Sequence, residues 1–350
     1  MQLVVDRFEP DIVHSHHPFM LGASALRLAH KNRIPIVYTH HTLYERYTHY
    51  VPGDSDALKS FVAEIATGYA NLCDQVFAPS ESLVEIIRER GVTTPVDVVP
   101  TGVEIERFEE GSGPGMRAVL GLPSDGYVIG HIGRLAPEKN LGFLADCVCA
   151  YMQTDPGAHF LVVGSGPSLK DIKELFGREG LSGRLHAPGI LTGAFLVSAY
   201  KAMDVFAFAS QTETQGMVLT EAMAAGTPVV AVDASGAREV VDDGKNGYLL
   251  ARENCNDFVA ALTRFGTLAE ARRTEMRQAA LDTAQDFSMR ACSAKGLRLY
   301  AQAIERGSIV RKEEGSPWKM AIDRVRTEWD LLANTAGALG SFLLPPARGV

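Results

Sequence analysis

Short apolar runs alternate with helix-period patterns along most of this chain. Asp11–His17 (DIVHSHH), Pro35–His41 (PIVYTHH), Gln75–Ser80 (QVFAPS) and Val96–Val103 (VDVVPTGV) read as strands. Ser80 suits a helix N-cap ahead of ESLVEIIRER, with Gly91 at the C′ position. Glu109–Gly115 (EEGSGPG) has the composition of a flexible connection. Beyond it the alternation restarts, with YVIGHIGRL, HFLVVGSGP, VFAFAS, PVVAVDA and GYLLA as strand candidates and helices between them. Strands alternating with helices predict an α/β fold of two doubly wound parallel-sheet domains.

The tail has a different pattern. Trp318, Ile322, Val325, Trp329 and Leu332 fall on one helical stripe, with Ser316 as N-cap and Pro317 at the first helical position. Two tryptophans on such a stripe suit a membrane surface. Arg311–Asp330, however, carries five basic and five acidic side chains, so nothing polybasic attracts anionic lipid. Packing against the rest of the protein is the expected role.

Composition narrows the function. At 46% hydrophobic and 22% charged, the 350 residues are those of an ordinary globular protein with room for two cores. The net charge of −8 argues against a nucleic-acid partner. Neither a signal-peptide pattern nor a run of about 18 apolar residues is present, so the expectation is a soluble, cytoplasmic protein, at most peripheral on the inner face of the cell membrane. Cys73, Cys147, Cys149, Cys255 and Cys292 are odd in number and scattered, as reduced thiols would be. Most of the ten histidines precede residue 51, and His14 and His16 share a strand face. No carboxylate or cysteine stands at a usual zinc-ligand offset, so no metal site is expected.

The chemistry concentrates in TETQGMVLTEAMAAGTPVV, Thr212–Val230. A helix should begin near Gly216–Met217 and end at Gly226, with Pro228 blocking continuation. The amides of Gly216, Met217 and Val218 are then free donors at the positive end of a dipole, a ready site for phosphate. Glu213 precedes that terminus and Glu221 lies a turn inside it. Their eight-residue offset spans about 12 Å if helical. That matches a nucleotide sugar gripped by one carboxylate at each end, with its phosphates over the helix terminus. Glutamates are common on helix faces, and the pair alone is weak. GRLAPEKN (Gly133–Asn140) strengthens it, because Arg134 and Lys139 stand on a strand-to-helix loop where cations meet a diphosphate and stabilise its departing charge. VVGSGP adds Gly164 and Gly166 for close backbone approach.

These residues resemble the GT-B-fold glycosyltransferases of family 4, retaining and metal-independent enzymes that use nucleotide-sugar donors. The likeness rests on GRL…EKN, VVGSGP, APGIL, YKAMDVFAFAS and the Glu213-x(7)-Glu221 stretch, and covers nearly all of the second domain. It implies two Rossmann-like domains: an acceptor-side domain over 1–108 and a nucleotide-sugar domain over 109–286. A crossover helix over 287–310 would return to the first domain, followed by an extension over 311–350. It further implies that Arg134 and Lys139, next to Gly133, bind the diphosphate, Glu221 the ribose and Glu213 the transferred sugar. Gly216, Met217 and Val218 would present amides, and His186–Leu191, including Gly189 and Ile190, would line the base. The donor, a UDP- or GDP-hexose, is a substrate, and no cofactor is implied. Where many relatives have an EGFG-like loop, this chain has ETQG, which looks like the lipid-directed branch.

The first domain is similar to the family through PDIVHSHHPF, YTHHTLYERYTHYVP and VVPTGVEIERF. His40–Pro52 looks most like 1,2-diacylglycerol 3-glucosyltransferases, which points to a lipid acceptor, with phosphatidylinositol or a soluble saccharide as alternatives. His41 matches the histidine beside the reacting sugar. Tyr44, Glu45 and Tyr47 read equally as acceptor contacts and as an aromatic-packed helix start. No acid–base carboxylate pair stands ready for a double displacement, and the resemblance implies front-face attack with the leaving diphosphate taking the acceptor proton. The family's opening strand and glycine-rich loop are missing from this sequence. An incomplete first sheet is therefore expected, whether through a mis-assigned start, a truncation, or a second chain that supplies the rest.

Overall fold

The computed structural model describes residues 7–50, 54–313 and 317–343. The chain divides into two compact units: residues 1–100 with 293–350, and residues 101–292.

In the first unit, β1 (Val13–Ser15), α1 (Met20–Asn32), β2 (Ile36–Thr39), α2 (Asp56–Asn71), β3 (Gln75–Ala78), α3 (Glu81–Glu89) and β4 (Val96–Val98) follow in order. The four strands pair in parallel as β1-β2-β3-β4. Ser80 caps α3 as its sequence suggests, its Oγ accepting from Leu83 N at 3.2 Å. Alternate residues of the strands serve opposite faces. Ile36, Tyr38, Val76 and Ala78 join one buried cluster with Leu26 and Tyr69, while Val37 and Phe77 meet Ala303 on the other face.

The second unit holds the larger sheet. After α4 (Gly113–Leu120) come β5 (Tyr127–Ile132), α5 (Leu141–Thr154), β6 (Ala158–Val163), α6 (Ser168–Arg178), β7 (Leu185–Gly189), α7 (Gly193–Ala202), β8 (Val205–Phe208), α8 (Met217–Ala224), β9 (Val229–Val232), β10 (Gly247–Leu250), α9 (Cys255–Gly266) and α10 (Glu270–Asp286). The parallel order β10-β9-β8-β5-β6-β7 reverses between β5 and β8. That is the switch point where a doubly wound sheet binds ligands beyond its strand carboxyl ends. Phe160, Val162, Val205 and Ala207 face one large core, and Leu161, Val163, Phe206 and Phe208 face another. Burial on both faces explains why these strands are continuous apolar runs rather than alternating ones.

Two features depart from the sequence reading. β7 (LHAPG) escaped it, because a polar edge strand containing Pro188 lacks the apolar run of a central strand. Glu109–Gly115 is no loose connection either. It enters α4, with Ser112 as N-cap accepting from Gly115 N at 3.1 Å and Pro114 in the first turn. Its glycines serve packing, since a Cβ at Gly113 would stand 2.2 Å from Lys201 O.

Two helices complete the chain, α11 (Met289–Glu313) and α12 (Pro317–Leu343). Pro317 opens α12 as expected, while Ser316 and the side chains of Trp318, Ile322 and Val325 lie outside the described residues. α12 packs on α1 and α2, and of the predicted stripe the described Trp329 and Leu332 stay outside that contact. Thr327 and Ala338 are buried, whereas Trp329 and Leu332 remain 70% and 64% exposed. The seam mixes polar, small and apolar contacts: Thr327 meets His30, Asn334 donates to Ile65 O at 3.2 Å, a Cβ on Gly68 would strike Asn334, and half-buried Leu331 packs on the core around Leu26 and Tyr69. No helix among the described residues is long and apolar enough to cross a membrane.

Candidate active site

In the second unit the loops after β5 and β8 leave adjacent strands at the switch point and are tied together. Asn140 Nδ2 donates to Ala209 O at 3.3 Å, and Thr212 Oγ1 to Glu138 O at 3.2 Å. Lys139 Nζ then reaches Glu213 Oε1 at 2.5 Å, both side chains less than one-fifth exposed. The cation and the acid named from sequence are thus direct partners. Arg134, on the same loop, pairs with Glu138 and keeps 46% of its side chain exposed. Glu138 is a residue the sequence reading missed. Its i, i+4 offset from Arg134 was the available signal.

Gly133 and Gly164 bring the neighbouring loops into backbone contact. Gly133 N donates to Val163 O, and a Cβ on Gly164 (φ +135°) would stand 1.9 Å from Gly133 O. Only glycine fits there. Gly164 N in turn donates to Gly189 O at 2.8 Å, and Gly166 lies against Leu135 O. Ile190 follows Gly189 and is 69% exposed. His186 points inward instead, bonded to Leu120 O and to His159.

Gly216 precedes α8 in a left-handed conformation (φ 71°, ψ 48°), and no side chain caps the helix. The amides of Met217 and Val218 therefore start a helix whose dipole is not answered by a carboxylate cap. Gln215, which the sequence showed only as a loop variant, is buried and clamps Thr101 with two 2.7 Å bonds, accepting from its N–H and donating to its carbonyl. Gly236 packs under this loop, where a Cβ would come within 3.0 Å of Glu213 Cβ. Glu221, on α8, accepts from the buried Tyr200 hydroxyl at 2.7 Å. Burial raises the Glu221 pKa above the ordinary carboxylate value, against the opposing pull of Tyr200 and Arg107. His131, on β5, is buried with Nδ1 against Ala207 O. Desolvation pushes its pKa down to about 4, so the ring is neutral.

His41 belongs to the first unit and follows the carboxyl end of β2. Its Nε2 lies 2.7 Å from His16 Nδ1, and the rings stack. His14 bonds Tyr300 and Thr39, and its ring centroid lies 4.1 Å from that of His16. Desolvation lowers the pKa of His14 to about 3 and of buried His40 to about 4. His16 and His41 are lowered by the same cause. The cluster is a neutral imidazole network. Glu45 is held by Arg90 at 2.6 Å, and Tyr44 sets its ring edge-on to His17 and Phe19. Among the described residues no group of three or more His, Cys, Asp or Glu is placed to hold a metal ion.

Two large cavities lie away from these residues. One of about 700 Å³ lies at the amino ends of β2, β3 and β4, and one of about 860 Å³ at the amino ends of β5, β8 and β9. Both ends face helix C-termini, where Arg33 and Arg117 offset the negative dipole end. The candidate residues named above stand at the opposite, carboxyl edge of the sheets.

A parallel sheet that reverses at β5/β8, with cations and carboxylates on the loops there, is a doubly wound domain with its polar groups at the topological switch point. Residues 1–107 match the family described as Glycosyltransferase Family 4, and residues 114–282 match Glycosyl transferases group 1. The chain belongs to this glycosyltransferase family. It is 30% identical over 247 residues to alpha-monoglucosyldiacylglycerol synthase of Acholeplasma laidlawii, covering 68% of this chain and 62% of that one. The Streptococcus pneumoniae protein of the same name is 28% identical, with 72% and 58% covered. D-inositol 3-phosphate glycosyltransferase of Actinosynnema mirum is 32% identical over 318 residues, with 85% and 74% covered. The chain thus spans 62% and 58% of the length of the first two relatives. Among solved structures, Anabaena Alr3699/HepE in complex with UDP-glucose superposes with a TM-score of 0.71 at 23% identity, over 86% of this chain and 81% of that one.

Proposed function

We propose that this chain is a retaining hexosyltransferase that moves glucose from a nucleotide sugar to a lipid acceptor such as 1,2-diacylglycerol. The observation that carries it is the Lys139–Glu213 pair at the β5/β8 switch point, beside the uncapped start of α8. In the free protein each charge answers the other. An incoming diphosphate competes for Lys139 and Arg134, which leaves Glu213 to accept hydroxyls of the sugar. Glu221 takes the ribose, the Gly133, Gly164 and Gly166 loops admit the phosphates, and Gly189–Ile190 borders the base. Gly216, Met217 and Val218 direct amides at the donor. His41 is the catalytic candidate of the acceptor-side domain, residues 1–108, which the donor domain, 109–286, the helix 287–310 and the extension 311–350 follow.

The retaining step is front-face attack. The acceptor oxygen bonds the anomeric carbon as the glycosyl–phosphate bond breaks, and its proton passes to the departing diphosphate. Arg134 and Lys139 hold the charge that develops there. The lipid acceptor is supported by the diacylglycerol-directed names of the first relatives, and such an acceptor suits a cytoplasmic protein peripheral on the inner face of the membrane.

The test is incubation of this chain, and of a version extended upstream, with UDP-glucose or GDP-mannose over diacylglycerol or phosphatidylinositol vesicles, followed by lipid analysis. Glucosylated diacylglycerol is the expected product. Mannosylated phosphatidylinositol would move the assignment to the alternative acceptor. Failure of either donor to bind or react with both proteins would overturn it.

A further inference from the structure

Tyr200 is among the most deeply buried side chains of the second unit, with no exposed surface. Its ring packs between Phe108 and Phe206, and its carbonyl accepts from Thr227 Oγ1 at 2.9 Å. A phenylalanine would fill that apolar space without a polar atom to satisfy. The hydroxyl therefore needs a reason, and the structure gives it one partner: Glu221 Oε2, at 2.7 Å. Glu221 Oε1 has no hydrogen-bond partner among the described residues. One oxygen of the carboxylate is anchored from inside the core, and the other is left open.

We infer that Tyr200 is a positioning residue for donor binding: its hydroxyl fixes the Glu221 carboxylate so that Oε1 and the second lone pair of Oε2 face the vicinal hydroxyls of the nucleotide ribose. The inference rests on the assignment of Glu221 to the ribose. A carboxylate oxygen has two lone pairs, so a bond from Tyr200 does not exhaust Oε2. Glutamate has three rotatable bonds, and a hydroxyl donated from a rigid aromatic removes most of their freedom before the ligand arrives. Burial and the neighbouring Glu221 charge hold the Tyr200 pKa well above the ordinary phenol value, so it stays a donor.

The test compares binding of UDP and GDP with their 2′-deoxy and 3′-deoxy analogues, by calorimetry, in the full chain and in Tyr200→Phe, Glu221→Gln and the double variant. The parent should prefer the ribonucleotide by roughly tenfold over each deoxy analogue, the size of one charged hydrogen bond. Tyr200→Phe should weaken ribonucleotide binding about fivefold and shrink that preference to about twofold. The donor KM should rise while kcat stays within about twofold, with an unchanged melting midpoint as the fold control. The double variant should be no worse than Glu221→Gln, because Tyr200 acts only through that carboxylate. Full ribose preference in Tyr200→Phe, with the preference lost in Glu221→Gln, would overturn the inference while leaving Glu221 on the ribose. Unchanged ribonucleotide binding in Glu221→Gln would overturn the ribose assignment itself, and this inference with it.

Discussion

The two units are built from the same strand–helix alternation but hold their functional groups by different physics. In the second, the sheet reverses at β5/β8, its loops are joined through charge by Lys139 and Glu213, and Arg134 pairs with Glu138 within one of them. In the first, the groups beyond β1 and β2 are imidazoles joined ring to ring, and burial keeps them neutral. A site meant to receive a diphosphate needs cations that are already desolvated and oriented. A site beside a sugar and an apolar acceptor needs donors and acceptors without net charge. The difference predicts that the units fail under different insults: the second when a charge is removed, the first when protons are added.

The largest effect should follow from Lys139→Met. It removes the point charge on the departing diphosphate and leaves Glu213 with its partner gone. Donor turnover should fall about a hundredfold or more, while the fold persists because the pair is at the sheet edge. Steady-state kinetics with saturating donor checks it, and an unaltered kcat would end the claim that the second unit works by charge. Arg134→Ala should likewise act mainly on turnover, whereas Glu221→Ala should act mainly on donor affinity.

Next is Gly164→Ala. The new methyl would have to occupy the place of Gly133 O, so the two loops must separate or the φ of +135° must change. A loss of about 2–3 kcal/mol is expected from a side chain in that conformation. Denaturant unfolding would measure it. The same methyl at Gly142, with open space around it, should cost nothing comparable and serves as the contrast.

What could be read from the sequence divides along the same line. The parallel α/β class, the strands buried on both faces, the Ser80 cap and the Gly226 stop follow from local patterns, and each is where the pattern put it. Arg134, Lys139, Glu213 and Glu221 stand out in the sequence by their spacing relative to strand ends and a helix start, and the fold pairs Lys139 with Glu213. Gln215, Gly236 and Tyr200 do not stand out. Their significance depends on partners far along the chain, Thr101, the Glu213 loop and Glu221, and no spacing rule encodes a contact between loops of different strands. β7 was lost because an edge strand has no burial pattern to display.

Acid should separate the units. His14 and His40 have folded pKa values of about 3 and about 4, below the unfolded 6.5, so between those values the unfolded chain binds more protons. Their contribution to stability is complete above about pH 6.5 and is lost as the pH falls toward 4. Each group costs at most about 1.4 kcal/mol per pH unit across that window. In the second unit His131 is held at about 4, and burial also lowers His159 on β6 and His186 on β7. Hydrogen exchange from pH 7 to pH 5 should therefore lose protection first in peptides covering β1 and β2, and later in those covering β5 and β8. A parallel loss in both would mean that the imidazole network is not what distinguishes the first unit.

The smallest effect is expected where the sequence pattern was strongest. The stripe that includes Trp329 and Leu332 reads as a packing face, yet both side chains are mostly exposed, and α12 holds α1 and α2 through Thr327, Leu331, Asn334 and Ala338. Helical periodicity shows only that apolar residues share a side. It does not say which side meets the protein, because Gly68 and a mixed seam can admit a helix as closely as leucines can. Trp329→Gln should therefore change stability by no more than about 0.5 kcal/mol, as for an ordinary surface substitution. Asn334→Leu, which forfeits the bond to Ile65 O and must displace its neighbour at Gly68, should cost more, on the order of 1–3 kcal/mol. Chemical denaturation of the two variants ranks them directly. If Trp329→Gln proved the more damaging, by the 3–5 kcal/mol of a buried aromatic, α12 would be seated on its apolar stripe after all.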